Sequence, residues 1–140
     1  MMDVAESGRE TEAFHVLVVD DDPGMREMLL RVLGSRHWQA EGAEDGLRAL
    51  ARLQHAPFDV VVTDVQMPSL DGLALLREVR RMACGIQVVV HSGDLDPTTT
   101  NQLRRAGAFR VLRKGDPLDL LIQSVEEAGR VAKSPPTCCA

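Results

Sequence analysis

The sequence predicts an α/β domain built on a doubly wound parallel sheet, with helices on both faces. Three features lead there. Valine-rich apolar runs of strand length do not alternate with polar residues, which suits strands buried on both faces. Segments with helical spacing separate those runs. Asp22-Pro23, Asp96-Pro97 and Asp116-Pro117 each put a capping acceptor before a proline suited to a first helical turn.

The elements follow in order. His15–Val19 (HVLVV) reads as the first strand, and Met25, Met28, Leu29, Val32 and Leu33 mark one buried stripe of the helix after Pro23. His37–Ala40 (HWQA) is a weaker strand candidate. Phe58–Thr63 (FDVVVT) is the next strong run, and Leu73, Leu76, Val79 and Arg80 continue the helical theme after Asp71-Gly72. Ile86–Val90 (IQVVV) and the shorter Phe109–Leu112 (FRVL) complete the strands, with a helix start at Asp96-Pro97 between them. Leu118, Leu121, Ile122 and Val125 form the last helical stripe. Strand and helix thus alternate, which aligns the strands in parallel with right-handed crossovers.

A chain of 140 residues holds one domain of ordinary size, here expected over 14–132 with flexible ends at 1–13 and 133–140. The formal net charge of −5 argues against direct nucleic-acid binding, because a phosphate backbone selects for basic stripes. No apolar run approaches the ~20 residues of a membrane helix, and the acidic start MMDVAESGRETEAF lacks the apolar stretch of a signal peptide. A cytoplasmic location is expected, with Cys84, Cys138 and Cys139 reduced. None of them falls into a metal-binding or redox spacing.

Ligands in open α/β sheets bind beyond the carboxyl ends of the strands. There the chain places Asp20-Asp21-Asp22, Asp64, Ser92 and Lys114. Several carboxylates so close together must be protonated or neutralised by a cation, and a hard divalent ion such as Mg²⁺ suits oxygen ligands. Helix capping accounts for Asp22, which precedes Pro23. It does not account for Asp64, since Val65-Gln66-Met67-Pro68 follows without a helix start.

The segments VLVVDDDP, VVVTDVQMPSLDG, VVVHSGD and RKGDP resemble the successive signatures of bacterial response-regulator receiver domains, from Val16 to Val131. The resemblance implies a (βα)5 flavodoxin-like fold with strand order 2-1-3-4-5. It implies a signalling domain, not an enzyme proper, that promotes its own phosphorylation and dephosphorylation. Asp64 would be the phosphoacceptor, with Mg²⁺ held by Asp21, Asp64 and the backbone carbonyl of Gln66, and by Asp20 largely through water. Ser92 would be the switch hydroxyl and Lys114 the partner of the phosphoryl group. Implied partners are a sensor histidine kinase or phosphotransfer protein, and a downstream effector. A homodimer through the fourth helix, fifth strand and fifth helix is a further implied arrangement.

Two positions depart from the family pattern. Gly115 follows Lys114 where a proline, often cis, is common, so a trans and more mobile loop is expected. Val111 replaces the aromatic that usually partners the switch hydroxyl, which shifts the expected read-out to the loop after the fourth strand and the helix after Asp96-Pro97. Gln66 and Asp94 would line the path of attacking water.

Other residues carry blander readings. His15, His37, His55 and His91 are scattered, and alternation turns His91 away from Ser92's face. Trp38 reads as a core cover, and as a reporter of Mg²⁺ if it lies near the site. Met25 and Met28 read as core filling. Arg77, Arg80 and Arg81 read as a solvated helix face, whereas Arg104, Arg105, Arg110 and Arg113 gather where receiver domains meet partners.

Two rival functions remain at this level. A haloacid-dehalogenase-like phosphatase would use Asp20 and Asp22 as its Asp-x-Asp pair, but Gly24 is wrong for it and Asp64 to Gly72 would be unexplained. A degenerate receiver would bind partners without phosphorylation. No helix-turn-helix follows residue 132, so the chain is read as a stand-alone receiver or a piece of a longer regulator.

Overall fold

The valine runs form the centre of a five-stranded parallel sheet whose strands, numbered along the chain, stand in the order 2-1-3-4-5, as expected. A computed structural model describes residues 13–82 and 85–133. The expected flexible ends fall almost wholly outside these residues, as do Cys84, Cys138 and Cys139. In chain order the elements are β1 (His15–Val19), α1 (Pro23–Gly34), β2 (Gln39–Ala43), α2 (Gly46–His55), β3 (Val60–Thr63), α3 (Gly72–Met82), β4 (Gln87–Ser92), α4 (Pro97–Arg105), β5 (Arg110–Arg113) and α5 (Leu118–Lys133).

Alternation splits the core into two layers. Val16, Val18, Val60, Val62 and Val89 pack with Leu29 and Leu33 of α1 and with Leu121, Val125 and Ala128 of α5. Leu17, Val19, Val61, Val88 and Val90 pack with Ala49 and Leu53 of α2, Leu75, Leu76 and Val79 of α3, and Leu103 of α4. Burying both faces explains why the central strands are continuously apolar. No described helix is long and apolar enough to cross a membrane.

The weakest strand expectation moves most. His37 adopts a left-handed φ of 68°, which breaks the extended run, so β2 begins at Gln39 and continues through Glu41, Gly42 and Ala43. It is a polar edge strand whose pairing to β1 supplies what its propensity lacks. Trp38 then packs on Phe14 at a ring separation of 5.5 Å. Gln39 pairs with His15 at the start of β1, whereas Asp20 follows its end. Trp38 is therefore about 16 Å along the sheet from the acidic loop and is a poor reporter of it.

Helix starts follow the aspartates with one exception. Asp22 Oδ1 accepts from Gly24 N at 3.2 Å and Asp96 Oδ1 from Thr99 N at 2.7 Å. Asp45 and Asp71 cap α2 and α3 in the same way, from Arg48 N at 2.8 Å and Ala74 N at 2.9 Å. Asp116 instead turns back and accepts from Arg113 N at 3.0 Å, closing the turn after β5 rather than capping α5.

Gly72 is the tightest joint near the strand ends. A Cβ there would lie 2.2 Å from the carbonyl oxygen of Asp64 and 2.8 Å from Cα of Val65, both backbone atoms that cannot swing aside. Its N–H donates to Val65 O at 2.8 Å, so the start of α3 is held against the end of β3. Gly72→Ala should cost about 1–3 kcal/mol of stability, read as a lower urea midpoint. An unchanged midpoint would show that this contact relaxes freely.

Candidate functional site

Backbone bonds at the strand ends set the spacing of the site. Asp64 N donates to Val19 O at 3.1 Å, Asp20 N to Ala43 O at 3.2 Å, and Lys114 N to Ser92 O at 3.0 Å. The parallel ladder thus continues one residue past β1, β3 and β5, and it delivers three charged side chains to one rim. Ser92 itself is the last residue of β4 and is buried.

Lys114 is the hub of this rim. Its Nζ lies 2.9 Å from Asp64 Oδ2 and 3.0 Å from Asp20 Oδ2. Asp20 and Asp64 are only 1% and 7% exposed, so their charges need such a partner. Asp64 Oδ1 accepts from Val65 N at 2.6 Å, and Asp20 Oδ1 from Asp22 N at 2.9 Å. Carboxylate oxygens of Asp20, Asp21 and Asp64 all fall within 4.8 Å of one another, with Asp21 exposed at the mouth. Beside them opens a cleft of about 670 Å³ lined by Asp21, Val65, Gln66, Met67, Pro68 and Asp71. Asp94 is exposed on the β4–α4 loop.

Electrostatics favour the charged form of Lys114. Burial alone pushes its pKa down, but the hydrogen bonds and attraction of Asp64 and Asp20 outweigh it and raise the ammonium above the ordinary lysine value. Buried His91 moves the other way, held low chiefly by burial and further by Lys114, with Asp20, Asp64 and Asp116 opposing. Its Nδ1 has no hydrogen-bond partner. Val89, two residues before it, packs in the α1–α5 layer, so the strand's alternation assigns His91 to that face and not to the face of Ser92.

Two supports, Arg26 and Thr63, were not singled out from sequence, and a third, Gly72, was read only as part of a motif. Arg26 Nη1 donates to Asp20 O at 2.7 Å, Thr63 Oγ1 donates to Asp64 O at 2.8 Å, and Gly72 packs on that same carbonyl. Nothing in the sequence separates Arg26 from a solvated helix arginine, because its target is a backbone oxygen. The four-arginine group also divides. Arg110 pairs with Glu127 at 2.7 Å, Arg113 Nη1 donates to Leu95 O at 3.2 Å, and Arg104 and Arg105 stay exposed at the end of α4. The peptide between Lys114 and Gly115 is trans.

Lys114→Met removes the only ammonium facing two buried carboxylates among the described residues. The expected loss at neutral pH is about 2 kcal/mol, below the 3–5 kcal/mol of fully buried pairs because Lys114 keeps some solvent contact. Since the lysine pKa is raised in the folded state, its stabilisation is complete below the unfolded value of about 10.4 and is lost as pH rises through the folded value. Urea titrations of both proteins at several pH values check this. The curves should converge on the alkaline side, and a constant gap up to strong alkali would contradict it.

The comparisons with known proteins agree with this geometry. Residues 16–126 match the family model described as the response regulator receiver domain. The transcriptional regulatory protein GlrR of Escherichia coli K12 is 32% identical over 117 residues, which are 81% of this chain and 26% of GlrR. The sensor histidine kinase RcsC of Salmonella typhimurium is 34% identical over 120 residues, or 85% of this chain and 13% of RcsC. The chain thus spans about a quarter or less of the curated relatives it matches. Among solved structures, the receiver domain of Francisella response regulator 1452 superposes with a TM-score of 0.80 at 28% identity, covering 86% of this chain and 99% of that one. A response regulator receiver protein from Pseudomonas putida gives 0.78 at 31% identity, covering 82% and 97%. With the sheet order, the rim and the family match in agreement, the chain belongs to the response regulator receiver domain family.

Proposed function

We propose that the chain is the phosphoacceptor module of a two-component phosphorelay, taking a phosphoryl group onto Asp64 from a sensor histidine kinase or phosphotransfer protein. The observation that carries this reading is a charge imbalance. Three carboxylates cluster at the rim and one ammonium reaches two of them, so three negative charges against one positive leave two unbalanced. A divalent cation matches that deficit, and the donor set of hard oxygens without nitrogen or sulfur suits Mg²⁺. Asp20, Asp21, Asp64 and the backbone carbonyl of Gln66 would hold it, and it would neutralise charge on the transferring phosphoryl group.

The chain's own residues supply the remainder. A carboxylate oxygen of Asp64 attacks phosphorus in line as the bond from phosphorus to the donor imidazole nitrogen breaks, leaving an acyl phosphate on Asp64 and free histidine on the donor. Lys114, already against Asp64, balances the new phosphoryl charge, and Ser92 offers it a hydroxyl. Gln66 and Asp94 flank the approach of hydrolytic water. The read-out runs through the β4–α4 loop, which Arg113 grips at Leu95 O, because Val111 provides no aromatic ring beside Ser92. A downstream effector or a second copy docking on α4, β5 and α5 would sense the change.

Acetyl phosphate with Mg²⁺ should label the wild-type chain, seen as a mobility shift on phosphate-affinity gels, and Asp64→Asn or chelation should abolish the label. Label mapped to Asp20 would favour the phosphatase reading, which Asp22 already weakens by capping α1. Lack of label from either acetyl phosphate or a competent kinase would favour an unphosphorylated binding module.

In the same assay Asp21→Asn should weaken the Mg²⁺ requirement's midpoint by roughly tenfold or more, since a ligand carboxylate becomes a neutral amide. The midpoint from a Mg²⁺ titration checks it, and an unmoved midpoint would remove Asp21 from the metal site.

A further inference from the structure

We propose that the groove between α3 and α4 is a docking surface for an acidic segment of a partner protein, rich in carboxylates. The fold brings to one place arginines that the sequence keeps apart. Arg77 of α3 and Arg105 of α4 line a groove of about 370 Å³ together with Gln102 and Ala106. Arg80 and Arg81 follow on α3, and Arg104 on α4. Against these five arginines the two helices carry a single acid, Glu78, which Arg81 already holds at 3.0 Å. Arg77, Arg104 and Arg105 are exposed, and among the described residues none has an acidic partner. On a chain of net charge −5, this is a pronounced local reversal.

Helix dipoles account for part of the pattern, since cations are favoured in a last turn, where Arg80, Arg81, Arg104 and Arg105 stand. Two observations exceed that explanation. Arg77 stands a turn before the C-terminal pair of α3 and faces the same groove as Arg105. Arg80 is drawn inward, its Nη2 donating to Ile86 O, while its Nε is buried without an acceptor. Its Cδ would lie only 2.9 Å from a Cβ at Gly107, the residue after groove-lining Ala106. A groove lined by the exposed guanidinium groups of Arg77 and Arg105 fits carboxylates, which guanidinium groups bind in a planar fork.

The chemistry favours protein over nucleic acid. Neither helix carries an aromatic residue on which a base could stack, and exposed Met82 at the end of α3 offers an apolar contact instead. This surface does not use Asp64, so it stands apart from the phosphotransfer reading.

The test uses the full chain and a short labelled peptide of glutamates around a central leucine, followed by fluorescence anisotropy and by amide shifts in α3 and α4. Wild-type protein should bind it, with affinity falling as salt rises. The double variant Arg77→Glu/Arg105→Glu should bind roughly tenfold or more weakly, while Arg77→Lys/Arg105→Lys, which keeps the charge but loses the fork, should fall between it and wild type. Circular dichroism melts and Asp64 labelling should match wild type, which separates this result from misfolding or from failure of the phosphotransfer reading. Equal binding by the double charge reversal would overturn the proposal. So would tighter, groove-mapped binding of a single-stranded oligonucleotide, which would assign a nucleic acid. Self-association abolished by the double variant would assign a second copy and also overturn it.

Discussion

The ammonium of Lys114, held between Asp64 and Asp20, is the interaction on which the rim depends. Those three residues leave the ends of β5, β3 and β1, so a single side chain spans the sheet across the intervening β4. Two buried carboxylates would repel each other and resist desolvation without it. Parallel pairing makes the arrangement achievable. All strands end on the same side, and ladder bonds that run one residue beyond three of them place the charged groups within ångströms. The ammonium reaches two of the three clustered carboxylates, and the third, Asp21, stands exposed at the mouth.

Around this centre the backbone is held where side chains alone could not hold it. The Asp64 carbonyl takes a hydrogen bond from Thr63 and lies against Gly72, so the end of β3 and the start of α3 are held together. Arg26 anchors the acidic loop through Asp20 O. Arg113 anchors the β4–α4 loop through Leu95 O, from the residue next to Lys114. Adjacent residues at the end of β5 thus reach both Asp64 and the loop before α4. Where an aromatic ring is the usual moving part, Val111 simply packs against the core layer of α2, α3 and α4.

Arginine placement shows how one residue type serves three ends. Arg26, Arg80 and Arg113 spend their guanidinium groups on backbone carbonyls, where a fork of donors can satisfy groups that a loop leaves open. Arg52 with Glu41 and Arg110 with Glu127 tie edge strands to helices. Arg77, Arg104 and Arg105 do neither and remain turned outward. From sequence the first and last kinds look alike, and only their partners tell them apart.

The sequence by itself determined the fold class, the strand order through its family signatures, and the rim membership of Asp20, Asp64, Ser92 and Lys114. Those features are local, since an apolar run, an aspartate after it and an aspartate–proline pair are each read within a few residues. Tertiary structure decided what depended on partners distant along the chain. It started β2 at Gln39, because pairing to β1 and the left-handed His37 outweigh a polar strand's poor propensity. It turned Asp116 from a helix cap into a turn closure, its carboxylate accepting from Arg113 N three residues back. It split the arginine group and joined Arg77 to Arg105, because the consecutive helices α3 and α4 lie side by side on one face of the sheet.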